Sequence, residues 1–265
     1  MHPTISLALR YVRYYMKASN SRGHGTHSPF VFEFITQVLN DNRSFYAYEK
    51  IEGLKNKLRN DQQLLYTEDF GAGAANHTNH RKKISTIARS SLSSKKFGRL
   101  LFRLANFYPA QTIIEMGSSL GISTAYLASA NTCANVITLE GSADIAEIAA
   151  KNFNLLGLEN IRQVTGNFDE TLAPTIESNP AAGLIFIDGN HRKTPVLAYF
   201  ARFLTKLPAN AVIIIHDIHW SGEMEEAWTL IQQHPSVRMS IDIFSAGLIF
   251  FREEFKSKQH FIIRF

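Results

Sequence analysis

Residues 112–130, TIIEMGSSLGISTAYLASA, begin as a short apolar run of β type, break at Gly117 and restart as a helix after Gly121. A strand, a tight glycine turn and a helix start leave the first helical N–H groups without partners, facing whatever lies beyond the carboxyl end of the strand. In open α/β sheets small polar ligands bind at that edge. The glycine spacing narrows the choice of ligand. A dinucleotide fingerprint needs G-x-G-x-x-G, so that backbone can touch a pyrophosphate. Here Gly117 and Gly121 are four apart, with Ser118 and Ser119 between them and Ile122 following. Glu115, just before the turn, would repel a pyrophosphate but suits a ligand that carries an ammonium group.

From Gln111 onward the chain alternates between β-type and helical runs. Apolar strands fit at Thr112–Met116, 136–139, 161–164, Leu184–Ile187 and 212–215, each followed by a helical segment. Near-continuous apolar strands mean a parallel sheet covered on both faces. The last two runs, 237–244 and 247–251, are separated only by Ser245 and Ala246, too short for a parallel crossover, so they form an antiparallel hairpin. The expected fold is therefore α/β: a mainly parallel twisted sheet with a C-terminal antiparallel hairpin, preceded by a helical region. A boundary near residue 92 gives a helical segment 1–92 and an α/β body 93–265.

Polar residues recur where each parallel strand ends: Glu115, Glu140, Asn167, Asp188 and Asp217. Such ends share one edge of a sheet, so residues dispersed in sequence converge there. Glu140 lies 23 residues after Gly117, the spacing at which a carboxylate accepts the ribose hydroxyl protons in nucleotide-binding βαβ units. Gly166, Asn167 and Phe168 follow the third strand, and an Asn after a Gly is equally good turn chemistry.

The E-x-G-x-x-x-G loop resembles the first motif of the class I S-adenosylmethionine (SAM)-dependent methyltransferases, departing at Ser119 from the commoner E-x-G-x-G-x-G. IFIDGNH at 185–191 and IIIHDIHW at 213–220 resemble a group of this family whose fourth strand ends in D-G-x-H and whose fifth ends in an acid or His followed by Asp. That group includes metal-assisted O-methyltransferases. Arg192 and Lys193 stand where it often has Ser-Tyr, and the resemblance covers about residues 93–252. It implies a Rossmann-like methyltransferase fold that binds SAM. Glu115, Gly117, Ser118, Ser119, Gly121 and Ser123 would surround the amino-acid end. Glu140, Gly141 and Ser142 would take the ribose, Asn167 and Phe168 the adenine, with Asp188 also on the cofactor side.

The implied reaction is O-methylation of a small-molecule hydroxyl, with Asp188 and Asp217 holding Mg²⁺, His216 adding a ligand and His191 taking the proton. General-base catalysis by His191 or His216 without metal competes with that account. Two other classes stay open: a metal hydrolase built on Asp188, His191, His216, Asp217 and His219, and a methyltransferase-like module that binds nucleic acid.

Composition sets the outer bounds. The 265 residues are 45% hydrophobic and 19% charged, ordinary for a globular protein with a sizeable core. The single Cys133, expected to be small and buried, excludes an internal disulfide and fits a reducing compartment. No stretch reaches the about 18 apolar residues of a membrane span, and Arg10 and Arg13 interrupt the N-terminus, so a cytoplasmic protein is expected. Residues 1–110 hold 17 Lys and Arg against 7 Asp and Glu, so this basic half favours an anionic or phenolate-like acceptor, or nucleic acid.

The helical segment opens with 4–17, whose apolar positions Ile5, Leu9, Val12 and Met16 fall at helical spacing beside Arg10, Arg13 and Lys17. Packing against the body, or lying on a membrane surface, accounts for that stripe. In GHGTHSPF, 23–30, His24 and His27 flank Gly-Thr, and Ser28-Pro29 reads as the cap and first residue of a helix reaching about Asn40. Residues 45–60 read as helix, DFGAGAANH at 69–77 as a loop placed to cover the cofactor edge, and Lys95–Phe107 as the helix that feeds the first strand. The apolar tail HFIIRF, 260–265, is expected to dock, at a place the sequence leaves open.

Overall fold

A computed structural model of the chain describes residues 2, 4–19, 28–67 and 80–265. The GHGT stretch with His24 and His27, and the DFGAGAANH loop, lie outside the described residues. Two compact units emerge, Asn42–Asn179 and the pair of segments Met1–Asp41 with Pro180–Phe265.

The unit Asn42–Asn179 starts with α3, Tyr46–Asn60, then a short antiparallel pair, β1 Leu64–Thr67 and β2 His80–Lys83, and α4, Ile84–Ser90. Three parallel strands follow: β3 Thr112–Met116, β4 Asn135–Glu140 and β5 Ile161–Thr165, with Ile113 opposite Val136 and Val136 opposite Ile161. Their helices are α5 Lys95–Phe107, α6 Ile122–Ala130, α7 Ala143–Leu156 and α8 Phe168–Ser178. β3 and β4 are buried on both faces as their apolar runs require, whereas β5 carries Arg162 and Gln163 and is only partly covered. α5 meets α6 without a side chain at Gly98: a Cβ there would lie 2.3 Å from the Tyr126 ring. That close approach lets Leu100, Leu101 and Leu104 pack with no exposed surface, each contributing about 1.5–3 kcal/mol.

The second unit contains α1 Thr4–Lys17, α2 Pro29–Phe34 extended by a π-helical turn Ile35–Leu39, and the C-terminal α/β part. Ser28 caps α2 as its Ser-Pro signature indicates, its hydroxyl accepting from Val31 N–H. β6 Leu184–Ile187 pairs parallel with β7 Val212–His216. α9 Lys193–Leu204 and α10 Gly222–Gln233 accompany these strands. β8 Met239–Asp242 and β9 Ala246–Phe250 form the expected antiparallel hairpin, β9 also pairing antiparallel with β7. The parallel pairs and the hairpin are those of the expected mainly parallel α/β fold.

The tail docks as expected, and as a strand: Gln259–Ile262 is β10, which pairs parallel with β8, His260 opposite Ser240. Two expectations are corrected. Cys133 is exposed, because it sits in the turn after α6 rather than under it. Helix α1 packs through Tyr14, with Ala18 just past its end also buried, and not through Leu9, Val12 and Met16, which are 59%, 52% and 70% exposed. Tyr14 donates to the carbonyl of Ile263, and Arg10 pairs with Glu225, so the helix is held by the face opposite its aliphatic stripe.

Candidate functional site

In the Asn42–Asn179 unit the β3–α6 turn is built by backbone conformation. Gly117 at φ 96°, Ser119 at φ 47° and Gly121 at φ 84° all occupy the left-handed region, which glycine enters freely and serine does not. At Gly121 sterics agree with the dihedral: a Cβ would lie 2.4 Å from the Phe153 ring. Gly117 N–H donates to Leu139 O at 2.8 Å and Gly121 N–H to Ser118 O at 2.8 Å, so the loop is tied to β4 and closed on itself. No side chain caps α6. The hydroxyls of Ser118 and Ser119 are buried without a partner among the described residues, an arrangement that folded proteins keep only for a reason.

Glu140, at the end of β4, grips this loop. Its Oε2 accepts from Ser119 N–H at 2.9 Å and its Oε1 from Ser142 N–H at 3.1 Å. Burial pushes its carboxyl pKa up; the N–H groups of Ser142, Ser119 and Gly141 act in the opposite direction. A carboxylate has about four acceptor positions, so these three N–H groups leave one for a ligand hydroxyl. Glu115 is completely buried, and its Oε2 accepts from the Thr124 hydroxyl on α6 and from Thr138 on β4 at 2.7 Å. Those two threonines, which the motif reading missed, carry no motif of their own; their spacing to Glu115 has meaning only once α6 and β4 flank β3. Asn167 caps α8, its Oδ1 accepting from Asp169 N–H at 3.0 Å, and Phe168 is the first residue of that helix. Ser123 lies in the first turn of α6 and is buried.

The other unit carries a separate polar group where β6 and β7 end. His216 Nδ1 lies 2.9 Å from Asp188 Oδ1 and 3.8 Å from Asp217 Oδ2, while His191 Nε2 is 3.6 Å from Asp188 Oδ1. Asn190 and Asp217 are left-handed at φ 60° and 57°, and Asn190 Nδ2 donates to the Tyr199 hydroxyl at 3.1 Å. Burial alone would lower the pKa of His216. The charge and hydrogen bond of Asp188 outweigh it and raise it to about 9, with Asp217 adding to the same effect. Asp188 is likewise pulled below its ordinary value: burial opposes this, but the charges of His216 and His191 prevail. Lys193 is committed elsewhere, its ammonium 2.8 Å from Glu226.

His219 does not join this group. Its Nδ1 lies 3.1 Å from Glu225 Oε1, its Nε2 2.8 Å from Asp242 Oδ2, and its ring stacks on Phe244 at 5.1 Å. Both ring nitrogens are thus used in holding α10 to the hairpin, and the five-residue hydrolase cluster is not assembled. Among the described residues no three His, Cys, Asp or Glu side chains are placed to hold a metal ion.

A family model described as a methyltransferase domain matches residues 114–218, the span from the middle of β3 to just past His216 and Asp217. Residues 114–218 are thus similar to a methyltransferase domain. The chain is 30% identical over 138 residues to the catechol O-methyltransferase of Mycobacterium tuberculosis; the match covers 51% of this chain and spans 60% of that relative. The same architecture recurs in the SAH-bound O-methyltransferase of Bacillus cereus, at TM-score 0.54 and 20% identity, covering 83% of this chain and 96% of that one. It recurs again in an SAH-bound methyltransferase of Podospora anserina, at TM-score 0.58 and 14% identity over 85% and 97% of the two chains. At such identities these two likenesses speak for the fold. Glu115, the glycine turn, Glu140, Asp188 and the His216-Asp217 pair all lie within the matched span.

Proposed function

We propose that this chain transfers the methyl group of SAM to the hydroxyl oxygen of a small molecule, with His216 as the base. The observation that carries this is the 2.9 Å contact of His216 Nδ1 with Asp188. That carboxylate stabilises the imidazolium formed when the ring takes a proton, and an imidazole raised to about 9 is matched to a phenolic hydroxyl near 10. Methyl transfer asks little else of the protein beyond in-line placement, because the sulfonium is already a good leaving group.

Residues of the Asn42–Asn179 unit fit the cofactor. The buried hydroxyls of Ser118 and Ser119, the uncapped start of α6 and the remaining acceptor position of Glu140 give donors and acceptors suited to an amino acid and a ribose. SAM, when bound, supplies the electrophilic methyl group. The chain's part is to hold its ends through Gly117–Ser119, Gly121, Ser123, Glu140, Gly141 and Ser142, with Asn167 and Phe168 on the adenine.

A divalent cation on Asp188 and Asp217 fits less well. Both carboxylates already face His216 Nδ1, at 2.9 and 3.8 Å, so the imidazolium can take the place of a cation beside them. Transfer assayed after exhaustive chelation separates the two accounts: it persists if His216 is the base, whereas loss with rescue by Mg²⁺ would replace that reading.

Acceptor choice we place in residues 1–92, whose basic character favours an anionic or phenolate-like molecule, leaving 93–265 for SAM and catalysis. Substituting His24 and His27 together is then expected to raise the acceptor KM while leaving SAM affinity unchanged. The single, unpaired cysteine accords with a cytoplasmic enzyme.

A further inference from the structure

Helix α1 has two apolar faces, and the fold uses only one. Tyr14 and Ala18 are buried against the C-terminal strands, with Tyr14 and Tyr11 packed on Phe244 at 5.2 and 5.0 Å. Leu9, Val12 and Met16, spaced i, i+3 and i+7, form a stripe on the opposite side, each more than half exposed. Arg13 and Lys17 are exposed along one border of that stripe, and Tyr15, 48% exposed with Arg264 over its ring at 4.1 Å, along the other. The helix contains no acidic residue.

We propose that this outward face of α1 docks on an anionic lipid bilayer. Three features select that occupant. Aliphatic side chains flanked by arginine, lysine and tyrosine match the depth profile of a membrane surface, where chains insert, aromatic rings lie at the headgroups and cations meet anionic lipid. A second copy of the chain is a poor match, because an antiparallel two-fold pairing of this face would bring two basic borders together with no acidic residue on either helix. Area points the same way: burying one such side chain removes about 100 Å², so the stripe falls well short of the roughly 800 Å² per partner of a stable protein interface. Shallow insertion needs only a few side chains.

The helix is braced for this role from behind. Arg10 pairs with Glu225, Tyr14 donates to Ile263 O, and Ser19 bridges to Ile263, so inserting the stripe requires no unfolding of the packed face. Among the described residues no helix is long and apolar enough to cross a membrane; the contact is peripheral and reversible.

Sedimentation of the full chain with vesicles tests the proposal. Vesicles of phosphatidylcholine alone are expected to leave the protein in solution, and those containing about one third phosphatidylglycerol to carry it down, with release as salt is raised. Val12→Gln with Met16→Gln should weaken this binding at least about tenfold, and Arg13→Gln with Lys17→Gln by about fivefold per charge. All four side chains are exposed, so an unaltered melting temperature is the expected control. Failure to bind anionic vesicles, or binding that these variants do not change, overturns the proposal. Self-association in sedimentation velocity that Met16→Gln abolishes would also overturn it, assigning the stripe to a second copy.

Discussion

The glycine turn after β3 and the His216-Asp217 pair at the end of β7 are both built at strand ends, but by different means. At the turn the work falls to backbone: three left-handed residues, an uncapped helix start and N–H groups held by one carboxylate. At the pair it falls to side-chain charge, with two carboxylates within 3.8 Å of one imidazole nitrogen. A backbone site should respond to changes of shape and hardly to pH, whereas a charge site should do the reverse. That contrast suits a cofactor common to many acceptors on one side and a proton transfer on the other.

The sharpest break in the comparison is His216→Gln. It should lower methyl transfer by about 10²–10⁴-fold, the usual worth of a positioned base, while calorimetric SAM affinity stays as in the parent. In the parent, transfer should rise about tenfold per pH unit until it levels near 9, since His216 must be neutral to accept a proton; SAM affinity should stay flat over that range. Stability should move in the opposite sense. A histidine raised from 6.5 to about 9 contributes stability that is fully present below about 6.5 and is lost as pH rises through about 9. Melting temperatures across that window check it, and His216→Gln should remove the dependence.

The turn breaks by shape. Gly121→Ala forces a side chain into a left-handed residue and against Phe153, at about 1–2 kcal/mol for the backbone and about 1–3 kcal/mol for overpacking, so urea unfolding should show a loss of about 2–5 kcal/mol. Glu140→Ala should cost about 1.5–3 kcal/mol of SAM binding, about ten- to a hundredfold in calorimetry, and leave the pH profile of transfer in place. An unchanged affinity would remove Glu140 from the cofactor site. The smallest effect belongs to Asn167→Ala, where loss of the α8 cap should reduce stability by about 1 kcal/mol. A larger fall in SAM affinity than in stability would show that Asn167 also touches the ligand.

Much of this was legible in the chain itself. Near-continuous apolar runs such as LIFI and VIIIH can be satisfied only by burial on both faces, and a two-residue gap between strands admits only a hairpin, so strand type and direction followed from local chemistry. Glycines 117 and 121 were readable for the same reason, since their dihedral demand is carried by the residue itself. Tertiary structure alone decided what long-range contact decides. It buried Glu115 between Thr124 and Thr138, bound His219 at both nitrogens, paired the tail with β8 and turned the aliphatic stripe of α1 outward. Helical periodicity shows that a face is apolar, but with Tyr14 and Ala18 offering a second face, only the position of the partner strands determines which one is covered.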